Sequence, residues 1–147
     1  MGLKIYLDVC CLNRPFDDQS QPRIHLESEA ILWVLRQVET GVYALIGSEA
    51  LELENSRNSN PQRRNRVTEI LARVSGRIRL TASLRRRADF LVGLGFKAMD
   101  ALHVVSAEQA EADAFISCDD KLLRAAMRSE DVLRVRVVDP IHFARSV

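Results

Sequence analysis

Short apolar runs that stop at turn residues alternate with stretches of helical periodicity along the whole chain, and this alternation restricts the fold more than any other feature. Residues 4–8, 42–46, 77–80, 114–117 and 135–138 are each long enough for one strand and too short for a helix that spans a core. Between them lie helical stretches with one apolar stripe each. In residues 23–40 the stripe is Ala30, Trp33, Val34 and Val38; after the Asn60–Pro61 start it is Val67, Ile70, Leu71 and Val74. Further helices are predicted over 48–57, 82–94, 98–112 and 119–127, a polar loop over 11–21, and a terminal turn opened by Pro140. Gly41, Gly76, Gly93 and Gly95 supply the stops, and Ser48 is an N-cap with Glu49 and Glu52 in the turns behind it. Strands alternating with helical stretches argue for parallel pairing, so the expected class is α/β: three-layer α/β/α with a central, mostly parallel sheet.

The 147 residues suit one domain, 1–147, and with 47% hydrophobic residues the chain has enough apolar surface for a core, which excludes the disordered class. Residues 1–12 are too short and too charged for a secretory signal, and no run approaches the roughly 20 apolar residues of a membrane span, so a cytoplasmic protein is expected. Net charge is only +1, yet residues 57–87 carry ten arginines against a single acid, Glu69. Such a surface attracts polyanions, nucleic acid first; a solvated face or a site for an acidic protein is the competing reading. Aromatic residues make up 5%, too few for a base-stacking platform, and Trp33 is assigned to the core or a dimer interface. Cys10, Cys11 and Cys118 are odd in number, lack CxxC spacing and have no Cys/His partners of zinc-site type, so they are expected to fill space as buried thiols.

The acids carry the chemistry. In a sheet of right-handed βαβ units every strand ends at one edge and every connecting helix begins there. Asp8 closes the first strand, Asp119 follows the fourth, Asp100 opens the helix leading into that strand, and Glu49, Glu52 and Glu54 follow the second. Singly each reads as a cap or first-turn acid; jointly they repel one another unless a cation neutralises them. Oxygen ligands without thiolate or imidazole suit Mg²⁺ or Mn²⁺, and an acidic metal pocket beside an arginine-rich flank suits phosphodiester hydrolysis.

The strand Ile5 to Asp8, the acidic helix after strand two, Met-Asp-Ala-Leu-His-Val-Val-Ser-Ala at 99–107 and Ile-Ser-Cys-Asp-Asp-Lys-Leu-Leu at 116–123 together resemble the four-acid pattern of PIN-domain nucleases, including VapC-type toxins. The resemblance covers nearly the whole chain. It implies that Asp8, Asp100 and Asp119 are catalytic, metal-binding acids. It also implies a glutamate late in the helix after strand two: Glu54, with Glu52 in reserve. An endoribonuclease using Mg²⁺ or Mn²⁺ on RNA follows from it, as do a small antitoxin partner and a homodimer. Where relatives place a small hydroxyl residue after the first acid this chain has Val9 and Cys10, and residues 13–18 resemble an insertion in which Arg14 touches phosphate or pairs with Asp17 or Asp18. Asp120 reads as a solvated helix-start residue. His103 reads as a packed imidazole or as a group tuning a ligand, and His25 and His142 carry no chemistry. The competing classes are a catalytically inactive RNA- or protein-binding module of the same fold and a receiver-like signalling domain, the latter weakened by the single acid after strand one and the absence of a lysine after the last strand.

Overall fold

A computed structural model describes residues 2–147. Its sheet holds β1 (Lys4–Leu7), β2 (Ala44–Ser48), β3 (Gly76–Ile78), β4 (Ala114–Ile116) and β5 (Val137–Val138), all parallel, in the order β3-β2-β1-β4-β5. The helices are α1 (Val9–Asn13), α2 (Pro22–Glu39), α3 (Glu49–Ser56), α4 (Pro61–Leu71), α5 (Ala82–Gly93), α6 (Ala98–Gln109), α7 (Asp120–Arg128) and α8 (Pro140–Ser146), with a 3-10 turn at Arg14–Phe16. No helix among the described residues is long and apolar enough to cross a membrane.

Side chains alternate along a strand, so the two faces of the central strands enter two different cores. Tyr6, Ile46 and Phe115 point into one, closed by Leu51, Leu91, Val104 and Leu122 of α3, α5, α6 and α7. Ile5, Leu7, Leu45, Ala114 and Ile116 point into the other, closed by Leu12, Ile31, Val67 and Phe143 of α1, α2, α4 and α8. The expected PIN-like three-layer α/β/α fold is therefore the observed one. Tyr6 and Phe115 face each other across the β1–β4 register with ring centroids 5.1 Å apart. Truncating either ring to Ala would cost about 3–5 kcal/mol.

Two stretches expected to be irregular are helical in part or whole, while residues 17–21 are irregular as expected. Residues 11–21 were expected to be a loop, but α1 starts directly behind β1 because the Asp8 side chain accepts the Cys11 N–H at 3.0 Å. The C-terminal turn is instead α8, capped by Asp139, started by Pro140 and held by the buried Phe143. The predicted stop of α2 is present: Gly41 has φ +80°, open to glycine without strain, and its N–H returns to the Val38 carbonyl.

Candidate active site

The strand order reverses direction between β1 and β4: the chain builds outward through β2 and β3, then returns across the sheet to add β4 and β5. In an open parallel sheet the crevice outside the strand ends at such a reversal is where ligands bind. This order also differs from the 2-1-3-4-5 arrangement of receiver-type folds, which counts against the signalling alternative. Asp8 and Asp119 stand at the ends of the two strands that flank the reversal. Because α6 runs back into β4, its first turn with Asp100 lies over the same edge, and α3, rising from β2, brings Glu54.

Asp8 is the most buried of the four, 5% exposed. Its Oδ1 caps α1 and accepts the Cys10 thiol at 2.7 Å. Burial, and then the nearby Cys10, hold its carboxyl well above the ordinary aspartate value, against hydrogen bonds from Ser117 and the Cys11 backbone. Ser117 also binds the Asp119 N–H at 3.0 Å, so one hydroxyl joins the ends of β1 and β4. The hydroxyl that the segment after Asp8 lacks is thus supplied from across the sheet. Asp119 caps α7 through the Lys121 and Leu122 N–H groups. Asp100 is raised by burial, then by the negative charges of Asp119 and Glu54, with His103 and Lys97 opposing. The charges of Asp119 and Glu54 therefore both reach Asp100, from the end of β4 and from α3.

Helix α3 separates its glutamates. Glu49 accepts the Leu80 N–H, and Glu52 turns outward to a two-pronged pair with Arg77 at 2.6 and 2.8 Å. Glu54 turns inward, its Oε1 2.8 Å from His103 Nε2. A hydrogen-bonded file runs behind it: His103 Nδ1 to the Tyr6 hydroxyl at 2.7 Å, and Tyr6 to Ser48 Oγ at 2.7 Å. A carboxylate only accepts, so Nε2–H donates to Glu54; that leaves Nδ1 to accept the Tyr6 proton and the Tyr6 oxygen to accept that of Ser48. Tyr6 is fully buried, and burial chiefly raises its hydroxyl far above the usual tyrosine range, so it stays a donor. His103 is therefore packed, and it orients a carboxylate as well. Tyr6 escaped the sequence reading because an apolar strand position gives no hint of a hydroxyl partner 97 residues away.

Beside Asp100 lies a cleft of about 300 Å³ lined by Lys97, Lys121, Arg124 and Arg128. These cations lie outside the 57–87 segment that dominates the charge pattern. Within that segment Arg63 is held by Asp17 and the Phe16 carbonyl, Arg77 by Glu52 and Arg87 by Glu108, while Arg66 stacks over Phe16. Three of its ten arginines are thus paired with acids. Arg14 pairs with Asp17 at 3.0 Å and faces the buried Glu27, and Asp120, expected to be solvated alone, pairs with Arg23 at 2.7 Å.

The acid oxygens suit a hard cation by chemistry, and the charge that each carboxylate places on its neighbours is what a cation relieves. Among the described residues, however, the one set of three acid, imidazole or thiol ligand atoms that all lie within 4.8 Å of one another is Cys10, Cys11 and Cys118. The acids stand farther apart, a spacing that fits an ion retaining several waters rather than an all-protein cage. The cysteines, expected merely to fill space, converge because α1 and the end of β4 meet behind Asp8.

No family model matches the chain, and no curated protein matches it. Among solved structures, the chain is similar to VapBC2 from Rickettsia felis, determined bound to a DNA fragment from their promoter, with TM-score 0.57 and 12% identity over 92% of this chain and 97% of that one. At that identity the likeness establishes the fold alone, a parallel sheet between two helical layers.

Proposed function

We propose that the chain is a metal-dependent endoribonuclease of the PIN type that hydrolyses RNA phosphodiester bonds, the toxin of a toxin–antitoxin pair, acting as a homodimer. The observation that carries this reading is the gathering of Glu54, Asp100 and Asp119, with Asp8 behind them, at the strand-order reversal and beside a cationic cleft. The fold likeness to VapBC2 supports the toxin assignment, and the motif resemblance supports RNA as substrate.

Asp8, Glu54, Asp100 and Asp119 would hold a hydrated Mg²⁺ or Mn²⁺, which when bound lowers the pKa of a coordinated water and offsets charge on the phosphate. The chain's own residues supply the rest. Lys97, Lys121, Arg124 and Arg128 take the substrate phosphates next to Asp100. His103, fixed by Tyr6 and Ser48, keeps the Glu54 carboxylate turned into the crevice. Ser117 ties Asp8 and Asp119 to adjacent strand ends, so the two acids move as one unit.

The test is cleavage of a structured RNA with Mg²⁺, Mn²⁺ or EDTA, comparing the native chain with Asp100→Asn. Metal-dependent cleavage that falls about 10²–10⁴-fold in the variant, with unchanged circular dichroism, is expected. RNA binding without cleavage in any metal would instead favour the inactive binding module.

A further inference from the structure

We propose that Cys10, Cys11 and Cys118 form a second, separate metal site, a thiolate site for a thiophilic d¹⁰ cation such as Zn²⁺, on the inner side of Asp8. The three Sγ atoms lie within 4.8 Å of one another, and those of Cys11 and Cys118 are 3.5 Å apart. Sulfurs at tetrahedral corners around zinc, with bonds of about 2.3 Å, are separated by about 3.8 Å, so a small adjustment of side-chain angles reaches that geometry. Cys11 and Cys118 are buried and Cys10 is half-buried, which leaves one open side, where Asp8 Oδ1 stands 2.7 Å from Cys10 Sγ.

The surroundings are those of a ligand set. The Cys118 N–H donates to Cys10 Sγ at 3.3 Å, a backbone bond that stabilises a sulfur carrying negative charge. The guanidinium of Arg14 stands beside Cys118 and offsets the excess charge of three thiolates on a divalent ion. Loading forms three metal–sulfur bonds and releases to solvent whatever protons the thiols carry; nothing is oxidised or reduced. Soft sulfur donors select this class of ion, whereas the oxygen donors of the neighbouring crevice select Mg²⁺ or Mn²⁺, so the two sites do not compete for one metal.

The experiment uses the full chain, reduced and free of oxygen. On titration with Co²⁺ the thiolate-to-cobalt charge-transfer absorption and the visible bands of a tetrahedral ion are expected to saturate at one equivalent and to be bleached by Zn²⁺. Zn²⁺ is also expected to shield three cysteines from alkylation, counted by mass spectrometry. Cys10→Ser, chosen because its side chain is partly exposed and the fold tolerates it, should weaken Co²⁺ binding about 10–100-fold and dim the charge-transfer band. Co²⁺ binding without a charge-transfer band, or cysteines that alkylate equally fast in excess Zn²⁺, would overturn the proposal. Both readouts are independent of RNA cleavage, so failure here leaves the nuclease reading intact, and the reverse.

Discussion

Asp8 stands between two sets of potential ligands that obey opposite rules. On its outer side the carboxylates of Glu54, Asp100 and Asp119 share a solvent-facing crevice, yet no three of the described acid ligand atoms come within 4.8 Å. On its inner side three thiols from α1 and the end of β4 are packed within that distance, two of them buried. Coulomb's law accounts for the contrast. Like charges hold apart until a cation joins them, whereas the Cys10 and Cys11 thiols, both held above the ordinary thiol value, stay neutral and pack against Cys118 without that repulsion. Preassembly therefore points to soft-metal chemistry more readily than to hard-metal chemistry, and an acid cluster must be recognised by mutual charge effects instead of by contact.

The contrast breaks first if the acids do not act jointly. Asp100→Asn is expected to lower metal-dependent cleavage about 10²–10⁴-fold while binding of Co²⁺ to the thiols is unchanged. A variant that cleaves normally would leave the outer set as a row of helix caps. Next in size is Tyr6→Phe. The ring keeps its packing against Phe115, but Ser48 and His103 lose a buried partner, which costs about 1–3 kcal/mol. With His103 unanchored, Glu54 loses its orientation, and cleavage should fall about 10–100-fold, mainly in kcat. Thermal melts and kinetics on the same sample separate the two effects, and an unaltered kcat would show that the file behind Glu54 serves stability alone.

Asp8 belongs to both sets, and its titration sharpens the comparison. Its folded-state value lies above the ordinary 3.8 because of burial first and Cys10 second, so the folded chain holds that proton more tightly than the unfolded chain. Stability of the metal-free protein is therefore lost as pH rises from about 3.8 through the folded value, at about 1.4 kcal/mol for each unit of displacement, and is level above it. Asp8→Asn should melt higher than the native chain at neutral pH, with a flatter pH profile; a lower melting point would mean that the carboxylate is paired in a way the structure does not contain. Mg²⁺ should reverse the order, since an ion at 100 times its Kd stabilises the native chain by about 2.7 kcal/mol and finds no equal site in the variant.

The two basic regions provide a smaller test. Arg128 lines the cleft beside Asp100, whereas Arg63 is already held by Asp17 and the Phe16 carbonyl. Arg128→Ala should weaken RNA binding several-fold and reduce the salt dependence by about one ion, whereas Arg63→Ala should alter stability more than binding. Equal effects would mean that the arginine-rich segment, despite its internal pairs, is the true RNA face.

What the sequence disclosed follows from range. Asp8, Asp100 and Asp119 sit at strand ends and helix starts, and the rule that parallel strands share an edge brings them to one rim without further information. Local capping was equally legible at Ser48 and Asn60, where side chain and acceptor are neighbours in sequence. The thiol cluster was not, because Cys118 and Cys11 are 107 residues apart and thiols carry no pattern except spacing. Three of the ten arginines of residues 57–87 are not free, which the segment alone could not show, since their acidic partners, Asp17, Glu52 and Glu108, lie outside it.

The choice between Glu52 and Glu54 rests on the least energetic substitution. Two residues apart on α3, the side chains differ by about 200° around the helix axis, so only one can enter the crevice. Glu52 faces outward and its pair with Arg77 is nearly half exposed, which by the usual value of such pairs contributes about 0.2–1 kcal/mol before salt screens it. Glu52→Gln should therefore shift the melting temperature by no more than a few degrees and leave cleavage within about twofold, whereas Glu54→Gln should reduce cleavage nearly as far as Asp100→Asn. If Glu52→Gln instead abolished cleavage, the outward pair with Arg77 would be a resting arrangement and α3 would have to rotate when RNA and metal bind. The His103 file would then orient the wrong acid, and the outer set would have to be redrawn around Arg77's partner.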